Sequence, residues 1–200
     1  NWRRCSEAIP EDIDWVWLNG DDDFLTNDQV IKGLVNVIEQ NTCLETSLIH
    51  ICQARRSRKT GRIIKDNLFD LCNQLGYHEI LGWMSSLVVR CDQFKVAIDF
   101  ATAPVIEYPN PVDHIKFKIS VYPHSAGLLR VCANDKALFV DEPWVEPQEE
   151  QQSEESIARW AESFHGDRYF FVIDDLLAMY DEGLLKKKCR LNFFRYLNYS

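Results

Sequence analysis

The 200-residue sequence has no stretch long and apolar enough to cross a bilayer, because Ser, Arg, Asp or Lys interrupts every hydrophobic run. It also lacks a basic balance. The formal net charge of −9 excludes a surface that embraces nucleic acid or an anionic membrane as a whole, so any anion contact has to be local. There is no Cys-x-x-Cys or His-x-x-x-His spacing, and the five histidines are isolated, so no zinc site is indicated. A phosphate-cradling Gly-rich loop ending in Lys-Ser/Thr is missing, as is a Gly-x-Ser-x-Gly nucleophile elbow. No cofactor or metal is therefore expected, and the balance leans away from catalysis without excluding it.

The cysteines are few and scattered. Cys5, Cys43, Cys52, Cys72, Cys91, Cys132 and Cys189 form an odd set without the tight spacing of a secreted disulfide framework. No positively charged leader with an apolar run opens the sequence. Free thiols and a reducing, intracellular compartment, cytoplasm or nucleus, are the expectation. With 46% hydrophobic and 12% aromatic residues, the chain has the side-chain volume for a real core.

The patterning suggests an α+β protein: a helical N-terminal layer of about four helices, then a mainly antiparallel sheet with one or two further helices. After the aromatic opening Trp15-Val16-Trp17-Leu18 and the Asn19-Gly20 turn, Thr26 and Gln29 have capping-box spacing, and Val30, Leu34, Val37 and Ile38 follow at helical period. Thr42 and Glu45 repeat the cap ahead of Leu44, Leu48, Ile51 and Cys52. A third helix is predicted from about Ile63 to Leu75 with Gly76 as its C-terminal cap, and a fourth through Ile80, Leu81, Met84, Leu87 and Val88. Short connections make these an antiparallel layer over residues 1–92.

Residues 93–200 read as the α/β region, joined to the first in one compact unit. Phe94, Val96, Ile98 and Phe100 alternate with Lys95, Ala97 and Asp99; Ile115, Phe117, Ile119 and Val121 with Lys116, Lys118 and Ser120; and Leu129, Val131 and Ala133 with Arg130 and Cys132. Asn134-Asp135 offers a turn into the strand Ala137-Leu138-Phe139-Val140. Residues 142–156, rich in Glu, Gln and Pro, read as an exposed acidic connection. Beyond it come a helix over 157–164, a buried strand over 169–173, a short helix from Leu176 to Asp181 and a basic, aromatic tail.

Two groups of cations stand out. Strand alternation would place Lys95, His114, Lys116, Lys118 and Arg130 on one basic sheet face, although lysines on a wet sheet face commonly serve solubility alone. Arg55, Arg56, Arg58, Lys59, Arg62 and Lys65 crowd a single loop, more cations than helix capping requires. Trp144, within the acidic connection, is the tryptophan expected to be exposed and available as an anchor. Asp174-Asp175 would cap a helix more readily than hold a magnesium ion.

Local basic patches on an acidic body, without a catalytic constellation, suggest a non-enzymatic interaction module, an adaptor, inhibitor or complex subunit that binds a segment of a protein partner. The alternative is a nucleic-acid-binding or nucleic-acid-processing subunit that uses the same patches.

Overall fold

Strand β3 (Thr46–Gln53) organises the fold, and all but its last residue are buried. The computed structural model describes residues 2–20, 23–54, 57, 59–102, 123–147 and 176–186. Thr46, Ile49 and Ile51 are β-branched and suit a pleated backbone. β3 is covered on both faces, so its residues are buried in succession rather than in alternation. This corrects the helix expected here from Thr42 and Glu45. Four apolar positions at helical spacing can equally be a short buried strand, and Leu44, counted in the apolar stripe, is 92% exposed.

Around β3, six strands among the described residues form one sheet in the order β1-β5-β3-β6-β2, with β4 also on β6. These are β1 (Trp15–Leu18), β2 (Asp23–Leu25), β4 (Ile63–Asn67), β5 (Leu87–Arg90) and β6 (Lys136–Pro147). The sheet is mixed: β3 runs antiparallel to β5 and parallel to β6, pairing Leu48 with Val89 and Ile51 with Val140. One edge of β6 is shared, its first half pairing with β4 and its last residues with β2, both antiparallel. β1 and β2 follow each other in sequence yet lie at opposite ends of the order, and Ser85 draws them together. Its hydroxyl accepts from Gly20 N at 2.8 Å and donates to the Asp23 carboxylate, so the sheet curls.

Helices cover both faces. On one side α2 (Val30–Asn41) lays Leu34 and Val37 over Ile49, Ile51, Val88, Leu138, Val140 and Val145. On the other, Leu48, Leu87, Val89 and Ala137 meet α3 (Leu68–Leu75), α4 (Tyr77–Leu81), α5 (Cys91–Thr102) and α6 (Pro123–Cys132). Short α1 (Trp2–Glu7) sets Trp2 against Phe94 and His124. The helical turns expected near 176 are present over 176–181, and Leu176, Met179 and Leu185 join this second core.

A helical layer followed by a sheet is therefore overturned: the helices are interspersed with the strands. The first expected helix stands as α2, and it starts at Val30. Thr26 spends its hydroxyl on Pro143 O of β6, at 2.8 Å, instead of capping. The third begins at Leu68, where Asn67 accepts from Asp70 N at 2.7 Å, and it ends at Gly76, as expected, with φ of +115°. The fourth stops at Leu81, and Leu87 and Val88 belong to β5.

Two expected strands are helices. In α5, Phe94, Ala97 and Ile98 are buried while Val96 and Phe100 face out, the i, i+3, i+4 pattern of a helix packed on one side. In α6 the residues from His124 to Leu129 are all buried, as is Cys132. Gly127 lets the two helices touch, since a Cβ there would lie 2.2 Å from Ala97 O. Asn134-Asp135 does form a turn into a strand, but from a helix. That strand, β6, continues through Pro143 to Pro147, correcting the exposed connection expected from 142. The strands expected at 115–121 and 169–173, and the helix at 157–164, lie outside the described residues.

Candidate functional site

The β3–β6 ladder is broken at one place. Ile51 pairs with Val140 and Gln53 with Val145, so residues 141–144 of β6 stand opposite Cys52 alone. On the other edge of β6 the partner changes across the same residues, from β4 at Val140 to β2 at Val145. Proline has no N–H for a ladder, so this gap is where Pro143 can sit within a strand. Bulges re-aim side chains. Here the bulge floors an open groove of about 440 Å³, with Glu142, Pro143, Trp144 and Glu146 on its lining. It lies at the carboxyl end of β3, where β3 and β6 run parallel.

The two walls are connections tied to that bulge. Thr26 and Asn27, ahead of α2, form one: Thr26 N donates to Trp144 O at 3.0 Å, and Asn27 Oδ1 accepts from Gln29 N at 2.9 Å to turn the chain into the helix. The other is the β3–β4 loop, which contributes Ala54 and Lys59. Ala54 N donates to Val145 O at 2.8 Å. Further on, Asp141, only 7% exposed, accepts from the hydroxyls of Ser57 at 3.0 Å and Thr60 at 2.5 Å. Its own N–H donates to Arg62 O at 2.9 Å. One buried carboxylate of β6 thus fastens the loop.

The described residues of the fastened loop turn tightly. Lys59 has φ of +56° and Gly61 of +65°, left-handed backbone that a non-glycine residue adopts only when its surroundings impose it. The hydroxyls of Ser57 and Thr60 also accept from Lys59 N and Arg62 N, at 2.9 and 3.2 Å. A Cβ at Gly61 would lie 3.1 Å from Glu142 Oε1. Under the floor, Trp144 is half-buried against α2, where a Cβ on Gly33 would meet its ring at 2.8 Å.

Lys59 and Trp144, singled out separately in the sequence, are therefore brought into one groove. Trp144 is not the free anchor expected, because part of its ring belongs to the α2 core. Arg62 is exposed next to the groove, in the same loop. Lys95 and Arg130 are elsewhere and on helices, so they do not contribute to a basic sheet face. Lys95 Nζ donates to Ile9 O at 3.3 Å, and Arg130 forms a two-pronged pair with Glu182 at 2.8 and 2.9 Å. Arg55, Arg56, Arg58, His114, Lys116 and Lys118 lie outside the described residues.

Sequence reasoning missed Asp141, Ser57 and Thr60. The available signal was an acid closing the apolar run Ala137–Val140 and two hydroxyls inside a basic loop. Elsewhere the ionisable groups are structural in character. Burial pushes the Cys132 thiol up to about 12, and lowers His78 and His124 to about 4. Cys52, Cys72, Cys91 and Cys132 are buried, whereas Cys43 is exposed, its pKa lowered chiefly by the Thr46 hydroxyl. Among the described residues no group of His, Cys, Asp and Glu is arranged to hold a metal ion, and no helix is long and apolar enough to cross a membrane.

No protein-family model, curated protein or solved structure matches this chain, so its function has to be read from its own residues.

Proposed function

We propose that this chain is a non-enzymatic interaction module that holds a segment of a protein partner in the groove between the β3–β4 loop and the β2–α2 connection. The observation that carries this reading is the bulge in β6, which places an aromatic ring, a lysine and two carboxylates around one open concavity. Interfaces draw most of their energy from a few aromatic and cationic anchors within a polar rim, and Trp144 with Lys59, Glu142 and Glu146 supplies that chemistry. Small-molecule sites are enclosed and mostly apolar, unlike this groove. Its mixed charge suits a peptide that carries both signs.

The six cations between Arg55 and Lys65 favour a second reading, nucleic acid bound along the loop. Glu142 and Glu146 oppose it, since a phosphate backbone crossing the groove would meet both carboxylates.

The test is selection of a displayed peptide library on the intact chain, followed by anisotropy titration of the selected peptides. Lys59→Glu is expected to weaken binding at least tenfold, and Lys32→Glu, on the exposed face of α2, to leave it unchanged. If no peptide discriminates between these variants while labelled single-stranded RNA binds with a steep salt dependence lost in Lys59→Glu, the nucleic-acid reading replaces this one.

A further inference from the structure

We infer that Thr60 is a phosphorylation site for an arginine-directed protein kinase, and that its phosphorylation releases the β3–β4 loop from Asp141. Three independent observations meet at this residue. Thr60 is exposed and lies in a surface connection, where a kinase can reach it. Arg55, Arg56, Arg58, Lys59, Arg62 and Lys65 surround it in sequence, a cationic context that an acidic kinase cleft recognises by charge. Its hydroxyl is also one of two that fasten the loop to the nearly buried Asp141 carboxylate.

The last observation makes the modification a switch rather than a decoration. To react, Thr60 Oγ1 must leave Asp141 and attack the γ-phosphorus of ATP. The new O–P bond forms as the bond to the β,γ-bridging oxygen breaks, ADP departs, and the hydroxyl proton passes to the base of the kinase. The product cannot return. A hydroxyl that donated to a carboxylate has become an ester bearing close to two negative charges, which repels Asp141 and Glu142 and is attracted to the cations of its own loop. Lys59 holds a left-handed backbone in the docked loop, and undocking leaves it free to relax. Lys59 then leaves the groove wall, and any ligand that depends on it is lost. This last consequence rests on the partner-binding reading; the modification and the release do not.

The experiment incubates the intact chain with a recombinant arginine-directed serine/threonine kinase and Mg-ATP. Phosphate is located by fragment mass spectrometry, and amide hydrogen exchange is followed over residues 57–63 and 138–145. The expected result is one phosphate on Thr60, abolished in Thr60→Val and retained in Ser57→Ala. With it, exchange at Asp141 N–H and across the loop accelerates at least tenfold, while β3 is unaffected. Phosphate confined to other residues, or incorporated at Thr60 more than tenfold slower than into the urea-denatured chain, would overturn the site. Phosphate on Thr60 with unchanged exchange would overturn the release. Neither readout needs a groove ligand, so failure here is distinguishable from failure of the partner reading.

Discussion

Two glycine contacts show how differently the two faces of the sheet are built. At Gly127 the obstacle to a larger residue is backbone: Ala97 O and C would lie 2.2 and 2.9 Å from a new Cβ, and neither can move without displacing α5. At Gly33 the obstacle is the edge of the Trp144 ring, a side chain that borders an open groove and has somewhere to go. The α3–α6 face is closed, apolar and intolerant of change. The groove end is polar, open and held by a few hydrogen bonds, so adjustments there are local. Regions that bind and switch are generally drawn from the second kind.

Acid should separate the two most strongly. His78 and His124 lie on the closed face and are held near pKa 4 by burial, while in the unfolded chain they take up protons near 6.5. Their contribution is thus complete above pH 6.5, shrinks as the pH falls, and is gone below about 4. Between pH 6.5 and 4 the preferential charging of each in the unfolded chain costs the folded state on the order of 3 kcal/mol. Urea midpoints taken from pH 7 to pH 4 should fall steeply. In a His124→Gln variant the drop should be shallower, and an identical pH profile would contradict this account.

Gly127→Ala comes next, with a loss of about 3 kcal/mol in urea unfolding, because overpacking against a fixed backbone cannot relax. Asp141→Ala should cost about 2 kcal/mol, the charge-assisted bonds to Ser57 and Thr60 being partly replaced by water. Its signature should be rapid amide exchange in residues 57–62 with the α3–α6 face still protected. Loss of protection across both faces would show that the groove end is not an independent unit. Smallest is Gly33→Ala, at about 1 kcal/mol, because the Trp144 ring can swing toward the groove. A selected peptide should nevertheless lose affinity several-fold in this variant, and unchanged affinity would remove Trp144 from the binding surface.

Legibility followed a physical rule. Features fixed by the local chain were readable: the apolar stripe of α2, Gly76 closing α3 with positive φ, the turn at Asn134-Asp135 and the strand from Ala137. Short apolar segments were not. β3 matches a helical stripe and a buried strand equally well, and burial on both faces erases the alternation that would have decided. The reverse error in α5 has the same root. Phe94, Val96, Ile98 and Phe100 alternate, but the core accepts Phe94 and Ile98 and leaves Val96 and Phe100 outside. Half of the groove chemistry was visible as the basic loop and Trp144. The acid that fastens the loop was not, because Asp141 gains its role from a bulge that exists only once β3, β4, β2 and β6 are paired.

By itself, the sequence determined what its covalent composition imposes: an acidic chain with enough apolar volume for a core, scattered cysteines, a concentrated run of cations from Arg55 to Lys65, and hydroxyls within it. Tertiary structure alone decided which segments became strands, since pairing with a distant neighbour outweighs weak local preference in segments this short. It also decided that Lys59, Trp144 and Asp141 would meet. Their proximity follows from the register of β6 against three different strands, a relation among distant residues that no local pattern contains.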